Sequence, residues 1–278
     1  MRIAVVQNDC MLGEMATNAR IHHRHIEQAV KKGADVVLFP ELSLSGYLLE
    51  DRVKEIACPP REIVRLFDGG ALSGEIVVGV GFPERSRTAV YNSYALIRCG
   101  EHAELIGIQR KINLPTYGMF DESRHFRAGT DLKHMTLPDG VSVAVLICED
   151  AWHPALPVAL AASPEGLPHL FIVPAASPSR GYRGKRPSNL EGWEHIAEHF
   201  SRVYGVAVLV PQRVGVEDSL IFAGGSCAVD HHGTRSRAPL FREAVLVIEI
   251  DPDLISRTVA KTAVVSPLDR DIMRRSLG

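Results

Sequence analysis

The stretch VAVLICEDAWHP, from Val143 to Pro154, carries a run of apolar residues directly into a cysteine that is followed by two acidic residues. A short apolar run of this kind predicts a buried strand, here over residues 141–148. We expect a helix to follow over residues 153–162. Cys148 would then stand at the end of a strand, where the chain turns sharply and a side chain can point to solvent, as in a nucleophile elbow.

Strands and helices alternate on both sides of this stretch. The predicted strands cover residues 2–8, 34–40, 75–82, 90–98, 103–111, 141–148, 169–175, 205–211, 226–230 and 243–251, and the predicted helices cover 14–32, 59–68, 153–162 and 189–204. Helices between buried strands imply layered α/β packing, and the three successive strands over 75–111 add antiparallel pairing. Because no linker or short repeat interrupts the pattern, we predict a single domain over 1–278. We expect its polar tail, 252–278, to pack on the surface or on a partner subunit.

The composition is that of an ordinary soluble globular protein. Of 278 residues, 46% are apolar and 23% are charged, and the net charge is −2, which does not favour binding to nucleic acid or to an anionic membrane. The five cysteines include no CxxC pair. We therefore do not expect a disulfide framework, and we expect a cytoplasmic location. The N-terminal apolar run is too short for a signal peptide, and no run approaches the ~20 apolar residues of a membrane span.

The histidine-rich segment HHRH, residues 22–25, invites a metal-binding interpretation. It lies in the first predicted helix, however, where a polar helix face explains it more simply. No carboxylate or cysteine nearby completes a zinc ligand set. We therefore predict neither a metal nor an organic cofactor.

Cys148 is the first candidate for chemistry, although a lone cysteine in a strand is more often a small buried hydrophobe. We expect the backbone N–H groups of the following helix to lower the pKa of its thiol and to hold an oxyanion. None of the 12 histidines can be placed beside it, so a Cys-His protease has little support. Glu41 and Lys111 each stand just past a predicted strand, where open α/β sheets build their sites.

These blocks resemble the nitrilase, or carbon–nitrogen hydrolase, superfamily, whose hallmark is a Glu-Lys-Cys triad. Glu41 lies in FPEL, Lys111 in RKINLPTYGMFDE and Cys148 in LICEDAW, in the order and spacing of that family. A second acid, usual eleven positions after the lysine, is present as Glu122. The resemblance runs from IAVVQND near the start to GGSCAVDHHG near the end. It implies a four-layer αββα sandwich with two mixed sheets, and a homodimer or larger homo-oligomer.

The resemblance also implies thiol-dependent hydrolysis of a carbon–nitrogen bond other than a peptide bond. Cys148 would attack the carbonyl carbon and form a thioester, while Lys111 and the backbone N–H of Glu149 would hold the oxyanion. Glu41 would take the thiol proton, pass it to the departing ammonia and then activate water. Glu122 would hydrogen-bond Lys111 and keep it charged and oriented.

Within the superfamily, the segments CEDAW and LPTYGMFDE are most similar to the glutaminase domains of glutamine-dependent NAD synthetases. This similarity assigns substrate binding to Tyr117, Glu149, Ser177 and Arg183. A free amino acid needs one anion and one cation for its recognition, and Glu149 would supply the anion. Arg180 and Lys185 stay open as alternatives to Arg183 for the cation.

The synthetases carry a second domain with a phosphate-binding loop, and GYRGKR, residues 181–186, does not have the spacing of that loop. We therefore expect either a glutaminase that passes ammonia to a separate synthetase partner or a free-standing amidase. The alternatives are an amidase, an N-carbamoyl-amide hydrolase or a nitrilase acting on another small substrate, and a non-catalytic regulatory member of the fold. The complete Glu-Lys-Glu-Cys set favours an enzyme, because a binding module has no need to bury these charges.

Overall fold

The computed structural model describes residues 1–69 and 74–261, together with residues 269, 271, 272 and 275. In this part of the chain the strands are β1 (Arg2–Gln7), β2 (Val36–Leu38), β3 (Ile76–Ser86), β4 (Ala89–Cys99), β5 (Glu104–Arg110), β6 (His134–Thr136), β7 (Ser142–Val145), β8 (Leu170–Ile172), β9 (Tyr182–Arg183), β10 (Arg186–Pro187), β11 (Ala207–Val210), β12 (Val214–Glu217), β13 (Leu220–Ala223), β14 (Cys227–Val229), β15 (Arg235–Arg237) and β16 (Ala244–Glu249).

The α-helices are α1 (Met15–Lys31), α2 (Val53–Ile56), α3 (Pro60–Leu66), α4 (Glu122–His125), α5 (Ala155–Ala162), α6 (Asn189–Tyr204) and α7 (Pro252–Lys261). Two 3-10 helices cover Glu50–Arg52 and Cys148–Trp152. Among the residues described, no helix is both long and apolar enough to cross a membrane.

Two six-stranded mixed sheets form the centre of the protein. The first has the order β16-β1-β2-β3-β4-β5 and the second has the order β15-β14-β11-β8-β7-β6. Parallel pairs lie in the middle of each sheet and antiparallel strands lie at the edges. The edge strands β6 and β15 and the hairpins β9–β10 and β12–β13 were not predicted, because two- to four-residue strands carry too short an apolar pattern.

Three apolar clusters define the layers. Val5 and Leu38 of the first sheet pack in one cluster with Val145 and Ile172 of the second, so the two sheets lie face to face. A second cluster joins the outer face of the first sheet to α1 and α3, and a third joins the outer face of the second sheet to α5 and α6. This arrangement is the predicted four-layer αββα sandwich, and the prediction is confirmed.

Helix α1 shows why the histidine segment was misread. Its buried face carries His22 and His25, which are 0% and 2% exposed, so these residues do not form a polar outer face. The His22 ring stacks on Phe39 at 3.9 Å between centroids and contacts Ser43 Oγ at 3.0 Å. Burial lowers the pKa of His22 to about 3. A neutral imidazole thus ties α1 to the loop that follows β2.

The sheet order brings the loops after β2, β5, β7 and β8 to one end of the sandwich. Strands β2 and β3 are parallel, and β3, β4 and β5 are successively antiparallel, so the loops after β2 and β5 leave the first sheet at the same end. Cys148 follows β7, and Ser177 follows the parallel strand β8 in the second sheet. Glu41 and Lys111 lie in the loops of the first sheet.

The loop after β2 lies directly on β3. Phe39 N–H donates to Gly79 O at 2.9 Å, and Leu44 N–H donates to Gly81 O at 3.0 Å. A Cβ on Gly81 would lie 2.2 Å from the backbone nitrogen of Leu42, so any other residue here would displace the loop that carries Glu41.

The polar C-terminal tail was predicted to begin at residue 252. Its first part forms α7, and Ile255 on this helix is fully buried in the cluster between the two sheets. Most of the tail after residue 261 lies outside the described residues. Packing of the tail on a partner subunit stays a prediction.

Candidate active site

Lys111 occupies the centre of a buried charged cluster. Its ammonium donates to Glu41 Oε1 and to Glu122 Oε1, both at 2.7 Å, and its side chain is fully buried. Burial opposes the charged form, but the two carboxylates outweigh it and hold the pKa of Lys111 well above its ordinary value. The structure therefore keeps a charged ammonium between two acids.

Glu41 is held by three donors. Its Oε1 accepts from Asn92 Nδ2 at 2.8 Å in addition to Lys111, and its Oε2 accepts from the backbone N–H of Ala176 at 2.9 Å. Glu41 and Asn92 are each 1% exposed. Asn92 lies on β4 and Ala176 follows β8, so residues of both sheets fix the orientation of this carboxylate.

Glu122 opens the short helix α4 and is 4% exposed. Its Oε1 accepts the Tyr47 hydroxyl at 2.7 Å as well as the Lys111 ammonium. Burial raises the pKa of Glu122 to about 7, and the charge of Glu41 adds to this, whereas Lys111 and Tyr47 oppose it. The charge of Glu122 is therefore sensitive to pH near neutrality.

Cys148 follows a sharp turn of the backbone. Its φ is +49°, in the left-handed region that residues other than glycine rarely adopt, and its N–H donates to Pro174 O at 2.9 Å. It keeps partial solvent access, whereas the other four cysteines are buried. This is the strand-end geometry that the sequence predicted.

The pKa of the Cys148 thiol contradicts the sequence-based expectation. Burial raises it well above its ordinary value, the charges of Glu41 and Glu122 add to the increase, and only Lys111 opposes them. The 3-10 helix that begins at Cys148 is one short turn and cannot outweigh burial and two carboxylates. The thiol is therefore protonated at rest, and it needs a base to become a nucleophile.

Asp150 joins the turn at Cys148 to the loop that begins at Lys111, and no role was predicted for it. Its Oδ1 accepts from the backbone N–H and the side-chain amide of Asn113, at 2.7 and 3.0 Å. Its carboxylate also accepts the N–H of Ile112 at 3.2 Å and that of Ile147 at 3.2 Å. Asp150 thus fixes the residues after Lys111 against the residues before Cys148.

The predicted substrate-binding residues lie in two groups. Tyr117 and Glu149 are in contact, because the Tyr117 hydroxyl lies 2.9 and 3.0 Å from the two oxygens of Glu149. Ser177 is buried and its Oγ accepts from Asn189 Nδ2 at 3.0 Å. The backbone N–H of Glu149, predicted for the oxyanion, stands directly after the thiol in the chain.

The two arginines of the following loop differ in their surroundings. Arg183 points to solvent with an 80% exposed side chain and pairs with Glu191 at 3.3 Å. The Arg180 guanidinium lies 5.2 Å from the centroid of the Phe120 ring and is close enough to Tyr117 to oppose the increase in its pKa that burial and Glu149 cause. In the described part of the chain, no carboxylate forms an ion pair with Arg180.

The carbon–nitrogen hydrolase sequence model matches residues 2–259, which is most of the chain. The chain belongs to the carbon–nitrogen hydrolase family. It is thus a hydrolase of carbon–nitrogen bonds, as the sequence motifs predicted.

Glutamine-dependent NAD(+) synthetases are among the proteins similar to this chain. The protein of Thermotoga maritima is 32% identical over 256 residues, and that of Xylella fastidiosa strain Temecula1 is 36% identical over 253 residues. The matches cover 91% and 90% of this chain but 42% and 44% of those proteins. The chain therefore spans less than half the length of these relatives.

Solved structures of the carbon–nitrogen hydrolase superfamily share the fold. A carbon–nitrogen hydrolase from Helicobacter pylori G27 superposes with a TM-score of 0.85 at 20% identity, covering 100% of this chain and 98% of that one. A glutamine-dependent NAD+ synthetase from Acinetobacter baumannii gives a TM-score of 0.77 at 26% identity over 91% of this chain and 46% of its own.

Replacing Lys111 with Met tests the central charge of the cluster. The variant leaves two carboxylates buried without their cation, so we expect the free energy of unfolding to fall by about 3–5 kcal/mol. The added change Glu122→Gln should recover part of this loss, because it removes one of the two charges. Urea unfolding measures both effects. Exposed Lys54→Met is the matched control, and equal stability of the two single variants would contradict a charged Lys111.

Proposed function

We propose that this carbon–nitrogen hydrolase cleaves the side-chain amide of glutamine or of a similar small ω-amide and releases ammonia. The observation that carries the proposal is the buried cluster of Glu41, Lys111 and Glu122 next to the Cys148 thiol. The neighbouring Tyr117–Glu149 pair offers the anion that an α-ammonium group requires. The names of the similar NAD synthetases support glutamine as the amide.

The chemistry follows from the protonation states. As the Cys148 sulfur attacks the amide carbon, Glu41 takes the thiol proton, and the carbonyl oxygen becomes an oxyanion held by Lys111 and by the N–H of Glu149. One such donor typically contributes about 3 kcal/mol to transition-state stabilisation. The carbon–nitrogen bond then breaks, Glu41 returns its proton to the nitrogen, and ammonia leaves a thioester.

Hydrolysis of the thioester reverses the proton transfers. Glu41 takes a proton from water, the hydroxide attacks the thioester carbon, and the sulfur departs and receives that proton. The net reaction consumes one water and yields one carboxylic acid and one ammonia. Glu122 touches none of the reacting atoms in this scheme, and its task is to hold Lys111.

We propose that Arg180, and not Arg183, recognises the carboxylate of the substrate. Arg180 lies beside Phe120 and Tyr117 and is free of an ion-pair partner among the described residues, while Arg183 is engaged with Glu191.

We also propose that the ammonia is passed to a synthetase, because the relatives are named as glutamine-dependent synthetases. The homo-oligomer and the cytoplasmic location remain predictions.

An ammonia-release assay tests the amide and the nucleophile together. We expect glutamine to give the highest kcat/KM in a panel with asparagine, propionamide, an N-carbamoyl amino acid and a nitrile. Cys148→Ala should lower the rate by at least about a thousandfold while keeping the native circular dichroism spectrum. Undiminished ammonia release by Cys148→Ala would remove the thiol from the mechanism, and preference for another compound would reject glutamine.

A comparison of two arginine variants tests carboxylate recognition. Arg180→Ala should raise KM for glutamine by about 10- to 100-fold, since a charge-assisted hydrogen bond contributes about 1.5–3 kcal/mol. It should leave the kinetics with propionamide unchanged, because this amide has no carboxylate. Arg183→Ala is the matched control, and a larger effect on glutamine from that variant would assign the carboxylate to Arg183 instead.

A further inference from the structure

A buried ion pair lies outside the proposed catalytic residues. Glu217, at the end of β12, pairs with Arg213, and the two residues are 3% and 2% exposed. The Arg213 guanidinium also donates to Cys10 O at 2.9 Å and lies 4.6 Å from the centroid of the Phe222 ring. The hydrolysis scheme uses neither member of this pair. Two buried charges are costly to maintain, so their contacts point to a task.

The Glu217 carboxylate holds the backbone of the loop that follows Glu41. It accepts the N–H of Tyr47 at 2.9 and 3.1 Å, and it also accepts the N–H of Leu48. Hydrogen bonds to an ionised acceptor are stronger than neutral ones, and Arg213 keeps this acceptor oriented. The backbone of Tyr47 is thus fixed by a residue 170 positions later in the chain.

Tyr47 links this anchored backbone to the charged cluster. Its hydroxyl donates at 2.7 Å to the same Oε1 of Glu122 that accepts the Lys111 ammonium. The Tyr47 ring packs against Phe222 with a centroid distance of 6.4 Å. The other oxygen of Glu122 is buried and has no hydrogen-bond partner among the described residues, so Tyr47 and Lys111 alone hold this carboxylate.

We propose that Glu217, paired with Arg213, is a positioning residue for catalysis: it holds the Tyr47 backbone so that the Tyr47 hydroxyl fixes and stabilises the Glu122 carboxylate that orients Lys111. This role rests on the proposed hydrolysis, in which Lys111 holds the oxyanion. It acts through three hydrogen-bonded steps and involves no contact between Glu217 and the substrate.

The proposal has a pH signature. The groups that face Glu122 are the Lys111 ammonium, the Tyr47 hydroxyl, the Glu41 carboxylate and the Cys148 thiol, and the first two favour its ionised form. The pKa of Glu122 is about 7 with the Tyr47 hydroxyl in place, and removing this donor should raise it. Glu122 then becomes neutral at a higher pH, and a neutral Glu122 holds Lys111 less well. The acidic limb of the activity profile therefore moves to higher pH.

The variants Tyr47→Phe and Glu217→Gln test this signature in the full chain. Each should lower kcat for ammonia release by about tenfold, the equivalent of one hydrogen bond of about 1.4 kcal/mol. Each should also shift the acidic limb to higher pH, with KM unchanged. Because both act through one path, the double variant should be no slower than the slower single variant. Asp218→Asn, an exposed neighbour with the same change of charge, should match the wild-type enzyme.

A purely structural role for Glu217 predicts a different result. Glu217→Gln would then lower the melting temperature and the yield of active enzyme, but the acidic limb would stay in place and the losses in the double variant would multiply. That outcome would overturn the proposal. If Glu217→Gln does not fold, Glu217→Asp takes its place, since the shorter carboxylate keeps the charge but cannot reach both N–H groups. An unshifted limb in both Glu217→Asp and Tyr47→Phe would equally overturn the proposal.

A second readout separates this proposal from the proposed function. The rate of Cys148 alkylation by iodoacetamide, followed by peptide mass spectrometry against pH, needs no substrate. Because the charge of Glu122 acts on the thiol, the profile should show an inflection near the pKa of Glu122, about 7, that moves to higher pH in both variants. Ammonia release from none of the amides would reject the proposed function, while an alkylation profile that is unchanged in both variants would reject the positioning role.

Discussion

The Lys111 ammonium lies between the Glu41 and Glu122 carboxylates at 2.7 Å from each, in a part of the protein closed to water. Charges buried in this way cost several kcal/mol each unless they are paired and hydrogen-bonded, so every member of the cluster depends on the others. The same arrangement determines the electrostatics around Cys148. In the proposed mechanism it supplies a fixed positive charge for the oxyanion. Burial, together with the two carboxylates, raises the pKa of the Cys148 thiol, so the thiol stays neutral until a base takes its proton.

The rest of the fold can be understood as the support that this cluster requires. The strand directions in both sheets send the loops after β2, β5, β7 and β8 to the same end of the sandwich. Gly81 allows the loop that carries Glu41 to lie directly on β3. Asp150 joins the loop after Lys111 to the turn at Cys148, and Glu217 holds the backbone of Tyr47, whose hydroxyl contacts Glu122. These contacts cross between distant parts of the chain, which explains how loop residues can hold charges with the accuracy that catalysis demands.

The long apolar segments and the motif around each charged residue were sufficient to predict the layers, the strand ends and the meeting of Glu41, Lys111 and Glu122. The burial of His22 could not be predicted, because a polar residue on the inner face of a helix depends on partners far away in sequence. The predicted direction of the thiol pKa was wrong for a similar reason. The nearby helix is visible in the sequence, but the burial of the thiol is not, and the two carboxylates that add to the increase, Glu41 and Glu122, lie 107 and 26 positions before Cys148. Asn92, Asp150 and Glu217 carry no local pattern that distinguishes them from ordinary polar residues.

The proposed hydrolysis depends on a thioester at Cys148. The partitioning of its acyl group between water and hydroxylamine tests this intermediate most directly. Two substrates with the same acyl group, an amide and the corresponding methyl ester, are hydrolysed at one fixed hydroxylamine concentration, and the ratio of hydroxamate to acid is measured. A common acyl-enzyme predicts the same ratio from both substrates. Ratios that differ between the amide and the ester, or the absence of any hydroxamate, would contradict a shared thioester intermediate.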